Sequence, residues 1–217
     1  MALQQKIPVI PQPSIASYNY TDIADGTGIR SFYLSNTLLS GNVSSYILTQ
    51  NTLYSHLPEI SGNTASTGLI SDLDFDLTAF NFPQDIKGTA QVNIPHVFAT
   101  GGGTGTGYLM VFLRKWNGST ETEIASATSV TLSNSSADRY VSHNIPLPIT
   151  TLVHFAEGDT LRLTVQQWIA TSTGNNRWAY GCDPIDRTGN NYMKTVNLAS
   201  ADTLQSTVHI PFRIDIQ

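Results

Sequence analysis

The chain has 217 residues and 40% hydrophobic content, which is enough for one buried core in a single domain. Only 12% of its residues are charged, its net charge is -5 and it has no cluster of lysine or arginine, which excludes the coating of a nucleic acid. Its single cysteine, Cys182, excludes an internal disulfide.

Residues 1–17 are predicted to form an extended N-terminal arm. Pro8, Pro11 and Pro13 forbid a helix and hold the residues before them in extended geometry. The arm carries four branched apolar side chains that a solvated linker would not need, and we expect them to contact a protein surface: Ile7, Val9, Ile10 and Ile15. The segment has the pattern of neither a signal peptide nor a membrane span, so we expect synthesis in the cytoplasm and no membrane insertion.

Period-two alternation and turn signals recur along the rest of the chain, and no segment shows a sustained helical period. Strands are predicted, in chain order, at 30–34, 46–49, 69–77, 86–94, 108–116, 120–127, 141–149, 161–169 and 204–217. Asn117-Gly118 predicts a tight turn between two of these strands. Pro146 and Pro148 confine the segment 141–149 to a sheet edge or a loop.

This pattern predicts an all-β fold with one domain at residues 18–217, preceded by the arm at 1–17. Eight or nine strands without helices between them are typical of a single antiparallel jelly roll or β-sandwich. The longest irregular stretch, 170–200, is the candidate functional loop.

Two motifs have the composition of known ion or phosphate loops but lack essential residues. The acids that begin at Asp72 alternate as in a calcium loop, but Leu77 and Pro83 stand where that loop needs glycine and glutamate. We interpret the acids as the polar face of a strand. The glycine-rich segment 101–107 lacks the Lys-Ser/Thr pair of a phosphate loop and precedes a strand, so it predicts a flexible connection.

The sequence offers no catalytic or metal-binding signature. The five histidines are not spaced as metal ligands, and neither a Gly-x-Ser-x-Gly elbow nor a Cys/His pattern occurs. We therefore predict no enzyme activity, no metal and no cofactor, although a pair of acids for glycoside hydrolysis stays open because such partners need not be neighbours in sequence.

Aromatic and charged side chains in and beside the 170–200 stretch are the candidate binding residues. Aromatic residues often anchor protein interfaces or stack on sugar rings. For Trp168, Trp178 and Tyr180, packing in the core is the alternative. The candidates are Trp168, Trp178, Tyr180, Asp183, Arg187 and Tyr192. Asp183 and Arg187 also fit a simple turn held by a charge-assisted hydrogen bond.

The segments Phe155–Val165 and Tyr180–Arg187, with Tyr18–Asp22 after the arm, resemble jelly-roll virion proteins of bacterial and archaeal viruses. The layout is also similar to the trimeric jelly rolls of the tumour-necrosis-factor type. The resemblance implies a structural role on a virus particle, trimerisation and no catalysis.

We therefore expect a non-enzymatic virion protein, either a decorating or a minor capsid subunit, that assembles with itself as a trimer and with other capsid proteins on the capsid surface. Low charge favours this because charges need not be desolvated at subunit contacts. A carbohydrate- or receptor-binding module such as a viral fibre tip is one alternative, and a small major capsid jelly roll is another.

Overall fold

The structure is a computed structural model that describes residues 27–39, 45–51, 59–181 and 205–213. The strands in these residues are β1 Thr27–Leu38, β2 Ser45–Thr49, β3 Glu59–Thr64, β4 Gly68–Leu77, β5 Gln84–Thr100, β6 Gly105–Trp116, β7 Glu121–Thr128, β8 Leu132–Ser133, β9 Arg139–Phe155, β10 Thr160–Ser172, β11 Asn176–Gly181 and β12 Thr207–Arg213. The predicted all-β class is confirmed. In the same part of the chain no helix is long and apolar enough to cross a membrane.

All twelve strands belong to one curled sheet. Neighbours follow the order β3-β11-β5-β12-β1-β2-β4-β10-β6-β7, with β8 bonded to β6 and β9 bonded to β5. The pairs are antiparallel except for β2 with β4, which is parallel. Strand β7 packs beside β9 although the two share no ladder. The sheet therefore closes on its own apolar face as a sandwich.

Strand β10 shows how the alternating sequence produces the core. Leu161, Leu163 and Val165 are fully buried on its inner face. Arg162 lies on its outer face and bonds to Asp76 of β4. Each buried aliphatic side chain contributes about 1.5–3 kcal/mol relative to exposure, so this face fixes the register of the strand.

Strand β5 is longer than the sequence predicted and changes its partner at a proline. It pairs with β12 up to Asn93 and with β11 from His96 onward. Pro95 falls between the two ladders, where its missing N–H leaves no bond unmade. The predicted strand stopped at Ile94, one residue before this proline.

Strand β9 confirms the predicted sheet edge. Its residues pair with β5 along one side, where Pro146 lies opposite Gln91 and Pro148 opposite Thr89. No strand among the described residues bonds to its other side. The prolines are tolerated because their missing N–H groups are not needed on a free edge.

Three short strands, β3, β8 and β11, were missed by the sequence patterns. The prediction of an irregular loop over 170–200 is wrong in its first part, because Asn176–Gly181 is a strand bonded to both β3 and β5. Gly62 in β3 looks like a loop residue, but a Cβ there would lie 2.6 Å from the Trp178 ring. Glycine is needed at this position because an aromatic ring packs directly over the strand.

The glycine-rich connection between β5 and β6 is closely packed, so the prediction of a flexible loop is wrong. The N–H groups of Gly101 and Gly103 donate to the Asn175 carbonyl at 3.0 and 2.9 Å. A Cβ on Gly103 would lie 2.4 Å from the backbone of Gly174. The glycines let two connections touch at one end of the sandwich.

The predicted arm at 1–17, with its candidate contact residues Ile7, Val9, Ile10 and Ile15, lies outside the described residues. The same holds for the part of the predicted last strand beyond Arg213.

Replacing Gly105 by alanine is expected to lower the free energy of unfolding by about 1–3 kcal/mol through overpacking. The added Cβ would lie 2.2 Å from the Thr171 carbonyl oxygen, which is held in the β10 backbone. Urea denaturation of G105A measures the effect. The matched control is T151A at an exposed site of β9; equal stability of the two variants would contradict the close packing.

Candidate functional site

A cleft of about 380 Å³ lies at the seam between β7 and β9. Ten residues line it: Ala127, Thr128, Ser129, Val130, Val141, Ser142, His143, Asn144, Ile145 and Pro146. In the described part of the chain, β7 is bonded only to β6 and β9 only to β5, so two unbonded backbone edges face each other here. The volume lies in the range of about 300–1,000 Å³ that is usual for small-molecule sites.

The lining combines apolar side chains with neutral hydrogen-bonding groups. It includes no aspartate, glutamate, lysine or arginine. Val130 at the rim is 64% exposed, whereas Ile145 and His143 on β9 are buried. The alternation of β9 turns these two side chains inward, so His143 forms part of the inner wall.

Behind this wall, His143 is bonded to a second histidine in β5. His96 Nδ1 and His143 Nε2 lie 3.1 Å apart. In the β5–β9 ladder His143 lies opposite Ile94 and His96 opposite Val141, so the two imidazoles meet diagonally across the strands. Both side chains are buried, with His96 fully excluded from solvent. One ring must donate the proton of this hydrogen bond and the other must accept it. The bond therefore requires a defined tautomer of each neutral ring.

Both histidines are held in the neutral form. Burial, together with the neighbouring His143, lowers the pKa of His96 to about 3, although the Gln167 side chain opposes the shift. Burial lowers the pKa of His143 to about 4. Near neutral pH the cleft therefore presents an uncharged imidazole.

The side chain of Gln167 in β10 lies next to His96. Its Nε2 donates to the carbonyls of Trp168, at 3.0 Å, and Tyr108, at 3.4 Å, so its Oε1 is left as an acceptor. His96 Nε2 and Gln167 Oε1 are each sealed from solvent and without a hydrogen-bond partner among the described residues. The two orphaned atoms complement each other as donor and acceptor.

A serine–histidine pair lies on the outer face of β1 and β12. Ser31 Oγ is 2.7 Å from His209 Nδ1, and Thr207 Oγ1 is 3.4 Å from His209 Nε2. Burial lowers the pKa of His209, which keeps it able to accept a proton. Among the described residues, the hydrogen bonds of His209 connect it to hydroxyl groups and not to a carboxylate, so this part of the chain supplies no orienting acid of a hydrolytic triad to the pair.

The alternating acids lie in strand β4, as the strand interpretation predicted, and two of them, Asp74 and Asp76, take part in a charge network. Arg162 bonds to both carboxylate oxygens of Asp76 at 2.6 and 2.8 Å and also contacts Asp74 and Glu121 at 3.2 and 3.1 Å. These acids are neutralised by a guanidinium, not arranged around a cation. No group of three or more potential metal ligands occurs in the four described ranges.

The structure separates the aromatic residues that the sequence grouped as one binding loop. Trp178 and Tyr180 are 5% and 0% exposed and pack in the core, the alternative left open for them. Trp168 lies half-buried on the outer face of β10, stacked parallel to Tyr108 with ring centroids 6.3 Å apart. Trp168 therefore stays a candidate contact residue.

The remaining predicted loop residues Asp183, Arg187 and Tyr192 lie outside the described residues. The residues that the sequence reasoning missed are His96 and His143. They are 47 positions apart and become neighbours only through the β5–β9 pairing. A signal existed in principle for His143, a polar residue with the same parity as Val141 and Ile145 in the predicted strand 141–149, whereas His96 lies beyond the predicted strand 86–94.

No protein-family model matches the chain, and no curated protein matches it. Among solved structures, an α-amino acid ester hydrolase is similar with a TM-score of 0.53 and 10% identity, over 84% of this chain and 36% of that chain. A CocE/NonD family hydrolase from Staphylococcus aureus has a TM-score of 0.49 and 12% identity, over 86% and 37% of the two chains. The chain thus spans little more than a third of each hydrolase.

The capsid resemblance receives little support from these comparisons. The VP2 subviral particle of infectious bursal disease virus aligns with a TM-score of only 0.25 and 12% identity, over 86% of this chain and 51% of that chain. The fold shared above a TM-score of 0.5 is that of part of a hydrolase. The prediction of a non-enzymatic virion structural protein is therefore wrong. Self-association and location are not tested and stay predictions.

Acidification is expected to destabilise the fold through the histidine pair. Both folded-state pKa values lie below the ordinary 6.5, so the unfolded chain binds more protons as the pH falls. The contribution of the pair to stability is present above about pH 6.5 and is lost as the pH falls, toward pH 4 for His143 and toward pH 3 for His96. At pH 5 the cost for the fully buried His96 is about 2 kcal/mol, from about 1.4 kcal/mol per pKa unit.

Denaturation curves at pH 7 and pH 5 measure this loss. In H143F the loss should shrink by about half, because one of the two depressed groups is gone. The control H154F removes an imidazole that is 62% exposed and should behave as the parent chain does. An equal loss in H143F and the parent would contradict the role of the pair.

Proposed function

We propose that the chain acts in the hydrolysis of ester or amide bonds as the β-sandwich module of a hydrolase. The observation that carries this proposal is the alignment of 84% of the chain with 36% of an α-amino acid ester hydrolase. A module of this size has its own core and forms one part of a larger catalytic body. The substrate class suggested by that hydrolase is an α-amino acid ester.

The described residues supply a rigid support more readily than the reacting groups. Ser31 and His209 form the best nucleophile–base geometry, at 2.7 Å, but they lie in a paired strand ladder. The backbone N–H groups there are engaged in the sheet and are not free to stabilise an oxyanion. In the proposed hydrolase the nucleophile comes from outside the described residues.

The outer face of β6 and β10 supports contact with such a catalytic body. Tyr108, Phe112 and Trp116 alternate with buried residues along β6, so these aromatic rings lie on the outward side. Arg114 lies 4.6 Å above the Phe112 ring, and Arg162 lies 5.1 Å above the Trp116 ring. Aromatic and arginine side chains are enriched at protein interfaces, and here they form a continuous stripe.

The proposal is tested by purifying the tagged full chain from its source cells, with whatever stays bound, and measuring the hydrolysis of L-phenylalanine methyl ester. We expect hydrolysis above buffer, together with labelling of a serine by a fluorophosphonate probe, because the module accompanies the catalytic body. A sample that shows neither ester hydrolysis nor labelling of a serine would contradict the proposal.

The variant S31A separates the two ways in which the chain could take part. If the nucleophile lies outside the described residues, S31A keeps its rate within about twofold, since a surface hydroxyl contributes little to stability. A loss of several hundredfold in the hydrolysis rate, with normal folding, would identify Ser31 as the nucleophile and contradict the assignment of the chain as a supporting module. The matched control is S136A, at an exposed serine between β8 and β9.

A further inference from the structure

We propose that the seam cleft binds a small uncharged molecule whose hydroxyl or amide N–H group donates a hydrogen bond to His143 Nδ1. The inference concerns the cleft between β7 and β9 and stands independently of the proposed hydrolytic function. Three features of the cleft support it: the direction of the hydrogen bonds behind His143, the uncharged lining and the free strand edges.

The direction of the hydrogen bonds begins at Gln167. Its Nε2 donates to two backbone carbonyls, which fixes the carboxamide with Oε1 turned to the other side. Oε1 is sealed from solvent, and so is His96 Nε2. Gln167 Oε1 can only accept a hydrogen bond, so the two atoms complement each other only if His96 carries its proton on Nε2.

A proton on His96 Nε2 leaves His96 Nδ1 as an acceptor, because burial keeps this ring neutral. The only group that meets His96 Nδ1 in the described residues is His143 Nε2, at 3.1 Å, so that nitrogen must carry its own proton and donate it. The neutral His143 then has a bare lone pair on Nδ1. That atom is not among the sealed polar atoms, so it keeps access to the cleft that His143 lines.

A lone pair on the cleft wall selects a ligand that donates. A carboxylate or an ether oxygen can only accept, so its lone pair would repel the lone pair of His143 Nδ1. A hydroxyl or an amide N–H can donate a hydrogen bond to that nitrogen. The lining has no formal charge to compensate an ion. The apolar side chains of Val130, Val141 and Ile145 offer contact for a hydrocarbon body.

The strand edges favour a small molecule over a peptide strand. Alternation gives Ser142, Asn144, Pro146 and Pro148 the same outward parity on β9. The two prolines lack the N–H groups that an added strand would need, so a ladder could not extend beyond Asn144. The cleft thus offers a short, bounded site rather than a long edge.

Three probes of similar size test the selection by hydrogen-bond direction and charge: cyclohexanol, cyclohexyl methyl ether and cyclohexanecarboxylate. Each is titrated into the 15N-labelled full chain at pH 7, and amide and imidazole resonances are followed. Cyclohexanol is expected to shift the resonances of His143, Val130 and Val141 in a saturable way, at least fivefold more tightly than the ether. The carboxylate is expected to leave them unchanged.

Two variants keep the inference falsifiable. H143F keeps an aromatic ring without a nitrogen and should bind the alcohol and the ether equally. V130R places a charge on an exposed rim position where folding is not at risk, and it should weaken cyclohexanol binding several-fold. The matched control H154F, at an exposed histidine outside the cleft lining, should bind as the parent chain does.

Equal affinity of the parent chain for the alcohol and the ether would overturn the inference, as would an unchanged preference in H143F. The absence of saturable shifts with any probe would overturn it too. None of these results depends on ester hydrolysis, so failure of this inference and failure of the proposed function are distinguishable.

Discussion

The sandwich depends on the pairing of β5, one strand of 17 residues that is bonded to β9 on one side and to β12 and then β11 on the other. Ile86, Val92 and Phe98 along this strand are fully buried. Because β9 bonds only to β5 in the described part of the chain, the register of β5 decides where β9 runs. That position creates the seam with β7, and the seam creates the cleft.

Much of the fold could be predicted from alternation and turn residues. The hairpin at Asn117-Gly118 appears as predicted, with Gly118 at a positive φ of 90°. The edge position of β9 followed from Pro146 and Pro148. Strand β3 could not be found, because Gly62 and its polar neighbours look like a loop until the ring of Trp178 is placed over them. The predicted strand also ended before Pro95, so the last six residues of β5 were missed.

The site could not be predicted, since it depends on contacts between residues distant in sequence. His96 and His143 have no metal spacing and no motif, and their significance comes from burial and from the 3.1 Å contact that the β5–β9 ladder imposes. The functional class was predicted wrongly because a jelly-roll pattern is shared by virion proteins and by parts of enzymes. Trp178 was a candidate binding residue with core packing as the open alternative, and its ring packs in the core.

The protonation pattern of the two histidines tests the account most directly, because it requires the curled sheet, the burial and the hydrogen-bond direction together. Long-range 15N–1H correlation spectra of the labelled chain at pH 7 report the tautomer of each ring. The account predicts two neutral rings, each protonated on Nε2, with Nδ1 of His143 bare. A charged ring at either position, or a proton on His143 Nδ1, would contradict it.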